Sequence, residues 1–261
     1  MTMRIVLGLE YCGLGFCGWQ SQLQGCGVQD ALEAAVATIA GEAIRITAAG
    51  RTDTGVHAAF QVVHFDTAVD RPLTAWVRGV NSHLPAGVAV QWAREVSDEF
   101  HARFSADQRG YRYVLLNHAV RPGLNHGLIG WYHRPLDHEA MNAAAAYLIG
   151  HHDFSAFRAA ACQAKSPVKD LRVAQIERRG DYLLCDFLAD GFLHHMVRNL
   201  MGCLIQVGAG AQPPEWAQSL LDSRNRTQAA PTFDAAGLYL THIRYPAHFD
   251  LPETPERWLF A

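Results

Sequence analysis

The order of strand and helix patterns in this sequence predicts an α+β fold built from two similar halves. Alternating apolar residues indicate strands, and amphipathic helical segments lie between them along the chain. The second half loosely repeats the order of the first, and the short turn at residues 179–181 requires the strands on either side of it to be antiparallel. We therefore predict halves at residues 1–104 and 105–261, with a mixed, largely antiparallel sheet and flanking helices.

The first half begins with a predicted strand over residues 4–11, where apolar side chains alternate. Apolar residues at helical spacing then predict a helix over residues 28–40, which ends at Gly41. The remaining predicted elements of this half are strands over 44–47, 60–65 and 88–96 and a helix over 74–84.

The second half begins with a predicted strand of aromatic and β-branched residues over 111–116. A helix over 137–149 is indicated by Asp137 as its N-cap and by Gly150 after its last turn. The remaining predicted elements are strands over 171–177, 182–188 and 238–244 and a long amphipathic helix over 193–207.

The composition is that of a globular protein, with 49% hydrophobic and 18% charged residues among 261. No run of 18 apolar residues predicts a membrane span, and the first residues lack the features of a signal peptide, so we expect a cytoplasmic protein. Six cysteines without C-x-x-C spacing favour free thiols. No H-E-x-x-H motif occurs among the 14 histidines, and we expect no metal site.

The net charge of −3 argues against a globally basic nucleic-acid-binding protein, but the charges are unevenly distributed. Residues 103–134 contain five arginines and one acid, and residues 158–179 contain six basic residues and two acids. Two such segments can form a groove that binds phosphate. Arginines on solvated surfaces explain the same pattern, and charge alone does not separate these alternatives.

Asp53 is the first candidate for chemistry, because it lies in a loop between predicted strands and is bracketed by Gly50 and Gly55. Glycines allow positive φ angles and the close approach of another chain. An aspartate in such a loop commonly bonds its own backbone. The nearby Arg51 favours the ionised carboxylate, which can also act as a nucleophile.

The tripeptide Asp53-Thr54-Gly55 also occurs in aspartic proteases, which need two such aspartates sharing a proton. No second D-[ST]-G tripeptide exists in the sequence, and Arg51 would oppose the shared-proton state. The protease hypothesis is therefore disfavoured.

Two further segments carry candidate residues. Strand alternation places Tyr111 and Tyr113 on one sheet face and Arg112 on the other, so the tyrosines either belong to the core or stack on a nucleobase. Arg198 lies among apolar residues of the helix predicted over 193–207 and needs an acidic partner from elsewhere in the chain. Asp53 is a candidate for that partner.

Five motifs, in order, resemble those of the tRNA pseudouridine synthase A family. The resemblance runs from about residue 4 to residue 245. The motifs are Ala49-Gly50-Arg51-Thr52-Asp53-Thr54-Gly55-Val56-His57-Ala58, Phe100-His101-Ala102-Arg103-Phe104-Ser105 with Tyr111-Arg112-Tyr113, Cys162-Gln163-Ala164-Lys165-Ser166-Pro167, Gly191-Phe192-Leu193-His194-His195-Met196-Val197-Arg198-Asn199 and Gly237-Leu238-Tyr239-Leu240.

The resemblance implies roles for three of the candidate residues. Asp53 falls on the nucleophilic aspartate of the family, Tyr111 on the base-stacking tyrosine, and Arg198 on the basic residue that pairs with the aspartate. Arg51 and Arg112 are predicted to bind substrate, and Arg51 contacts phosphate or helps to flip the base. The carboxylate attacks the sugar, attacks the base or helps to remove a sugar proton, and the sequence leaves these alternatives open.

The same resemblance implies the pseudouridine synthase fold with two ferredoxin-like halves, a homodimer with a basic cleft, and no metal or organic cofactor. The substrate it implies is uridine at positions 38, 39 and 40 in the anticodon stem-loop of tRNA. Cys12 replaces the usual aspartate of an early Tyr-Asp-Gly motif, and the tail at 249–261 lies outside the resemblance. The alternative function is a non-catalytic protein that binds or folds tRNA on the same scaffold.

Overall fold

The structure is a computed structural model that describes residues 2–253. These residues form two compact units: unit 1 comprises residues 2–108 and 239–253, and unit 2 comprises residues 109–238. The predicted division at residue 104 lies close to the first change of unit. The predicted second half also contained the closing strand, whereas the structure places that strand in unit 1. The last residues of the predicted second half, 254–261, lie outside the part of the chain that the structure describes.

The regular elements alternate between strands and helices along the chain. The strands are β1 (Met3–Tyr11), β2 (Thr47–Ala48), β3 (His57–Thr67), β4 (Val88–Val96), β5 (Gln108–Asn117), β6 (Gly130–Tyr132), β7 (Gly150–Asp153), β8 (Val168–Arg179), β9 (Tyr182–Ala189) and β10 (Leu238–Arg244). The α-helices are α1 (Val28–Ala40), α2 (His138–Leu148), α3 (Met196–Gly208) and α4 (Trp216–Ser223). A π-helical segment covers Ala75–Gly79, and 3-10 turns cover Ser155–Phe157, Arg226–Gln228 and Ala247–Phe249.

Unit 1 has a ferredoxin-like arrangement, with strands in the order β4-β1-β3-β2 and antiparallel pairing throughout this set. Helix α1 connects β1 to β2, and the π-helical segment lies between β3 and β4. Helix α1 buries Leu32, Ala35 and Val36, and it ends at Gly41, whose φ of 72° is the left-handed conformation typical of a helix C-terminus.

Strand β10 joins this sheet through a parallel pairing with the start of β3, where Tyr239 lies opposite His57 and Leu240 opposite Ala58. Beyond the strand, the Tyr245 hydroxyl donates to the carbonyl oxygen of Ala102 at 2.7 Å. These bonds attach residues 239–245 to the start of β3 and to the segment that follows β4.

Unit 2 contains an antiparallel sheet in the order β5-β9-β8-β7, with β6 parallel to β5. Helix α2 packs against β8 and against α3. On the buried face, Tyr113 of β5 lies opposite Cys185 of β9, which lies opposite Ile176 of β8. The two units together confirm the predicted α+β class with a mixed, largely antiparallel sheet.

Most predicted elements are present, and several differ in extent. The short strand expected over 44–47 is found at Thr47–Ala48, and the helix expected over 74–84 is π-helical at its centre. Helix α3 begins at Met196 rather than at residue 193, because His195 has a φ of 62°, which a right-handed helix cannot contain. Strands β6 and β7 and helix α4 were not predicted. Within residues 2–253, no helix combines the length and apolar character needed to cross a membrane.

Candidate active site

Asp53 lies half-buried in the loop between β2 and β3 of unit 1. The loop turns tightly, because the Val56 amide donates to the Asp53 carbonyl oxygen at 3.1 Å and Gly55 has a φ of 79°. A side chain at residue 55 would be strained in this left-handed conformation. The glycine therefore allows the turn that follows the candidate nucleophile, while the neighbouring Arg51 is exposed.

Buried side chains of β1 and β3 hold the start of this loop. The hydroxyls of Tyr11 and Thr52 share a hydrogen bond of 2.8 Å, and the Gln61 amide nitrogen donates to the Gly50 carbonyl oxygen at 2.7 Å. Burial raises the pKa of Tyr11 to about 12, so its hydroxyl stays protonated at neutral pH.

The glycine-rich segment 12–27 packs against the Asp53 loop from outside the sheet. The Trp19 amide donates to the Thr52 carbonyl oxygen at 2.9 Å, and the Gly13 amide donates to Nδ1 of His57 at 3.0 Å. A Cβ atom at Gly18 would lie only 2.7 Å from the Thr52 carbonyl oxygen. Glycine is therefore required at residue 18 for this close approach.

A disulfide joins Cys17 and Cys26 within that segment. The expectation of free thiols is wrong for this pair, because the segment folds back on itself and brings the two residues together. The Cys17 amide donates to the Cys26 carbonyl oxygen at 2.8 Å beside the disulfide. The cysteines at 12, 162, 185 and 203 are free thiols, as expected.

Tyr111 lies in β5 of unit 2, half-buried, and its ring meets the Phe192 ring edge-to-face at a centroid distance of 5.0 Å. Tyr113 is fully buried on the same face, where its hydroxyl donates to the Asp234 carbonyl oxygen at 3.1 Å. The predicted alternation is therefore confirmed, with Tyr113 in the core and Tyr111 partly accessible.

Arg112 projects from the opposite face of β5 and forms a bidentate ion pair with Asp186 of β9. Its Nε and Nη2 atoms donate to the two carboxylate oxygens, each at 2.7 Å. These two residues lie directly opposite each other in the antiparallel pairing, which brings the guanidinium and the carboxylate within reach of two hydrogen bonds.

Arg198 lies in the first turn of α3, half-buried, and its Nε atom donates to the Phe233 carbonyl oxygen at 2.9 Å. The next residue, Asn199, is fully buried and donates to the Phe157 carbonyl oxygen at 2.8 Å. Its side-chain oxygen Oδ1 accepts bonds from the Thr232 hydroxyl at 2.7 Å and from Arg226 Nη2 at 3.1 Å. Asn199 thus fixes the start of α3, which carries Arg198.

The structure groups the predicted residues by unit. Asp53 and Arg51 share one loop of unit 1, whereas Tyr111, Arg112 and Arg198 belong to β5 and α3 of unit 2. The pairing of Asp53 with Arg198 joins residues of different units and stays a prediction.

Sequence reasoning did not assign supporting roles to Tyr11, Gln61, His57 and Asn199, although His57 and Asn199 lie within the quoted motifs. A signal was present for Gln61, which interrupts the apolar run of a central strand, because a polar residue in a strand core needs a buried partner. The identity of that partner depends on the register of the sheet.

Comparison with known proteins shows similarity along nearly the whole chain. The family model described as tRNA pseudouridine synthase matches residues 9–105 and 144–246, which include Arg51, Asp53 and Arg198 but neither Tyr111 nor Arg112. The chain is 78% identical over 259 residues to the tRNA pseudouridine synthase A of Thiobacillus denitrificans, covering 99% of this chain and 100% of the relative. Proteins of the same name from Dechloromonas aromatica and Chromobacterium violaceum are 58% and 60% identical, over 98% and 97% of both chains, respectively.

Proposed function

The chain belongs to the tRNA pseudouridine synthase family, and from this premise we propose that it isomerises uridine to pseudouridine at positions 38, 39 and 40 in the anticodon stem-loop of tRNA. The observation that carries the proposal is the loop at Asp53. It holds a half-buried carboxylate between glycines, it is bonded to two strands and to segment 12–27, and it lies within the matched residues.

The reaction is an isomerisation and therefore needs neither an oxidant nor a second substrate. The N1–C1′ bond of uridine breaks, the base rotates, and a C5–C1′ bond forms. The proton on C5 leaves to solvent, and N1 gains a proton. Because atoms and electrons balance within the nucleotide, we propose that side chains of this protein suffice and that no metal or organic cofactor takes part.

Asp53 is the proposed nucleophile. Attack on the sugar, attack on the base and assistance in removing a sugar proton all require the same ionised carboxylate held against the nucleotide. We propose that Arg198 pairs with Asp53, as the family resemblance implies, and so favours this ionised form.

Tyr111 is the proposed platform for the uracil ring after it has left the base stack. Its ring is partly accessible and is oriented by its edge-to-face contact with Phe192. An aromatic ring in a sheet stacks on an unpaired base without regard to its hydrogen-bonding edge. The motif resemblance implies this role, although Tyr111 lies outside the residues that the family model matches.

Arg51 and Arg112 are the proposed contacts to the substrate backbone. Arg51 is exposed beside Asp53, which suits a phosphate contact or a role in flipping the base. Arg112 is held rigidly by Asp186, so it would present its remaining N–H groups in a fixed orientation. We further propose a homodimer that acts in the cytoplasm.

The decisive experiment measures tritium release from tRNA labelled with tritium at C5 of uridine, since forming the C5–C1′ bond expels that atom. The purified protein should release tritium from unmodified tRNA. Asp53→Asn should reduce the rate by at least about a thousand-fold, because the amide cannot act as a nucleophile. Mapping pseudouridine in the product then tests the three positions.

Asp107→Asn is the matched control, because Asp107 is an exposed carboxylate of the same unit that pairs with Arg244. It should release tritium within about two-fold of the wild type, as expected for a surface ion pair. Binding of tRNA without any release by the wild type would favour a non-catalytic scaffold. Release that survives Asp53→Asn would remove the nucleophile assignment.

A further inference from the structure

Three polar side chains are buried beneath the Asp53 loop in unit 1. Tyr11 at the end of β1 is 3% exposed, Thr52 in the loop is 7% exposed, and Gln61 in β3 is 0% exposed. Such groups are costly to bury unless their hydrogen bonds are satisfied. Apolar side chains of similar volume would fill this core equally well, so the polar atoms need an explanation other than packing.

Each of the three side chains bonds to the loop or to another member of the set. Gln61 contacts both backbone groups of Gly50, donating to its carbonyl oxygen at 2.7 Å and accepting from its amide at 3.4 Å. The same Gln61 nitrogen donates to the Tyr11 hydroxyl at 3.5 Å, and this hydroxyl shares the 2.8 Å bond with Thr52. The set therefore links β1 and β3 to residues 50 and 52.

Thr52 is fixed at both its side chain and its backbone. Its hydroxyl bonds to Tyr11 inside the unit, and its carbonyl oxygen accepts from Trp19 at 2.9 Å on the other side. The next residue is Asp53, whose carbonyl oxygen is held by Val56 at 3.1 Å. The backbone of Asp53, the proposed nucleophile, is therefore held on its N-terminal side by the hydrogen bonds of Thr52. On its C-terminal side it is held by the turn that Val56 closes.

We propose that Tyr11, Thr52 and Gln61 are positioning residues for Asp53: their buried hydrogen bonds set the loop geometry that holds the carboxylate in its reactive position. This inference rests on the proposed function, in which Asp53 is the nucleophile. None of the three touches the substrate in this proposal. They act through Asp53, and a displacement of about 1 Å at a reacting group can cost a hundred-fold in rate.

The test compares the removal of single hydroxyl groups from Tyr11 and Thr52 with the same kind of change at another buried threonine of unit 1, in β3. Tyr11→Phe removes only the hydroxyl, and Thr52→Val replaces the hydroxyl with a methyl group. Thr67→Val is the matched control, because Thr67 is also buried in unit 1, at 2% exposure, and its hydroxyl donates to Glu42. Thermal unfolding and circular dichroism establish that each variant is folded.

We expect Tyr11→Phe and Thr52→Val each to lower kcat for tritium release by about 10- to 100-fold, with KM for tRNA within about two-fold of the wild type. The double variant should be no slower than the slower single variant, because both changes break the same bond. Thr52→Ser, which keeps the hydroxyl, should restore kcat to within about three-fold, and Thr67→Val should leave kcat unchanged.

The proposal is overturned if Tyr11→Phe and Thr52→Val release tritium as fast as Thr67→Val, or if their losses multiply as independent effects. If Tyr11→Phe does not fold, the proposal is tested by the two Thr52 variants alone: it is overturned if Thr52→Val releases tritium as fast as Thr52→Ser. An inactive wild type overturns the proposed function itself. An active wild type that needs Asp53 but tolerates both hydroxyl deletions overturns only the positioning role.

Discussion

Unit 1 and unit 2 each contain a sheet with helices, but they present their candidate residues from different kinds of structure. Unit 1 carries Asp53 on a loop, whereas unit 2 carries Tyr111 on a strand and Arg198 on a helix. The hydrogen-bonded backbone of a strand or helix orients its side chains, but a loop has no such ladder. A precisely held loop residue therefore needs dedicated polar contacts, which Tyr11 and Gln61 supply.

This comparison predicts that removing buried polar atoms has different consequences in the two units. In unit 1, we expect the removal of buried polar atoms beneath the Asp53 loop to lower the reaction rate strongly and the free energy of unfolding only slightly. In unit 2, we expect such changes to lower mainly the free energy of unfolding, because there the buried polar groups hold whole helices and strands in place.

The largest effect on stability is expected for Asn199→Ala in unit 2. The substitution leaves the Phe157 carbonyl, Thr232 and Arg226 without their bonds to a fully buried side chain. We expect the free energy of unfolding to fall by about 3 kcal/mol, measured by urea denaturation. Because Asn199 also holds the start of the helix that carries Arg198, kcat of the folded variant should fall as well, but by less than is expected for Tyr11→Phe.

Asn142→Ala is the control for that measurement, since the Asn142 side chain also bonds to a distant segment, through two bonds to the backbone of Ile176, but is only half-buried. Asn142→Ala should lower the free energy of unfolding by about 1.5 kcal/mol. A large fall in kcat for Asn199→Ala at unchanged stability would contradict the contrast between the units.

The next largest effect is expected from reducing the disulfide between Cys17 and Cys26 in unit 1. The bond closes a loop with a sequence separation of 9 residues, for which the loss of chain entropy on cross-linking corresponds to about 2.5 kcal/mol. A reductant should therefore lower the free energy of unfolding by about that amount, as measured by urea denaturation with and without it.

A variant in which Cys17 and Cys26 are both serine should be insensitive to the reductant. Alkylation of the unreduced, denatured wild type should label the four cysteines at 12, 162, 185 and 203. Labelling of all six cysteines, or equal stability with and without the reductant, would contradict the cross-link.

The last effect depends on pH and arises from His64 in unit 1. Burial, together with the positive charges of Arg4 and His101, lowers the pKa of His64 from 6.5 to about 4. Between these two values the unfolded chain binds more protons than the folded chain, so stability is lost as pH falls from 6.5 towards 4 and is fully present above 6.5. Urea denaturation at several pH values measures this slope.

His64→Gln should reduce the slope, because glutamine does not titrate but can still accept the bond that the Ala102 amide donates to His64. Some slope should remain, since burial and the charge of Arg4 also lower the pKa of His101. An unchanged slope in the variant would assign the acid sensitivity to other groups.

The sequence predicted elements whose limits are set by local signals. Helix α1 and strands β4 and β10 have the predicted bounds, and the Asp137 carboxylate accepts from the amides of Glu139 and Ala140 as the predicted N-cap of α2. Helix α3 begins late because the left-handed backbone of His195 leaves no trace in the apolar spacing. Helix α4 and strands β6 and β7 are too short for a periodic pattern to be distinctive.

The candidate site was predictable where chemistry follows from a residue type and was not predictable where it depends on distant partners. Asp53 could be chosen from its glycine-bracketed loop and its family motif. Tyr11 and Gln61 could not, because they lie 41 residues before and nine residues after Thr52, and only the register of β1 with β3 brings them together. The disulfide between Cys17 and Cys26 was not predictable for the same reason, because it depends on how the segment 12–27 folds back on itself.

The return of β10 to unit 1 has a consequence for the order in which the protein matures during synthesis. Residues 109–238 emerge from the ribosome as one continuous stretch, so unit 2 can fold before unit 1 is complete. Until Tyr239 and Leu240 are made, the edge of β3 at His57 and Ala58, immediately after the Asp53 loop, lacks its partner strand. The start of β3, which is made early and follows the Asp53 loop, is therefore paired along this edge only once β10 has been made.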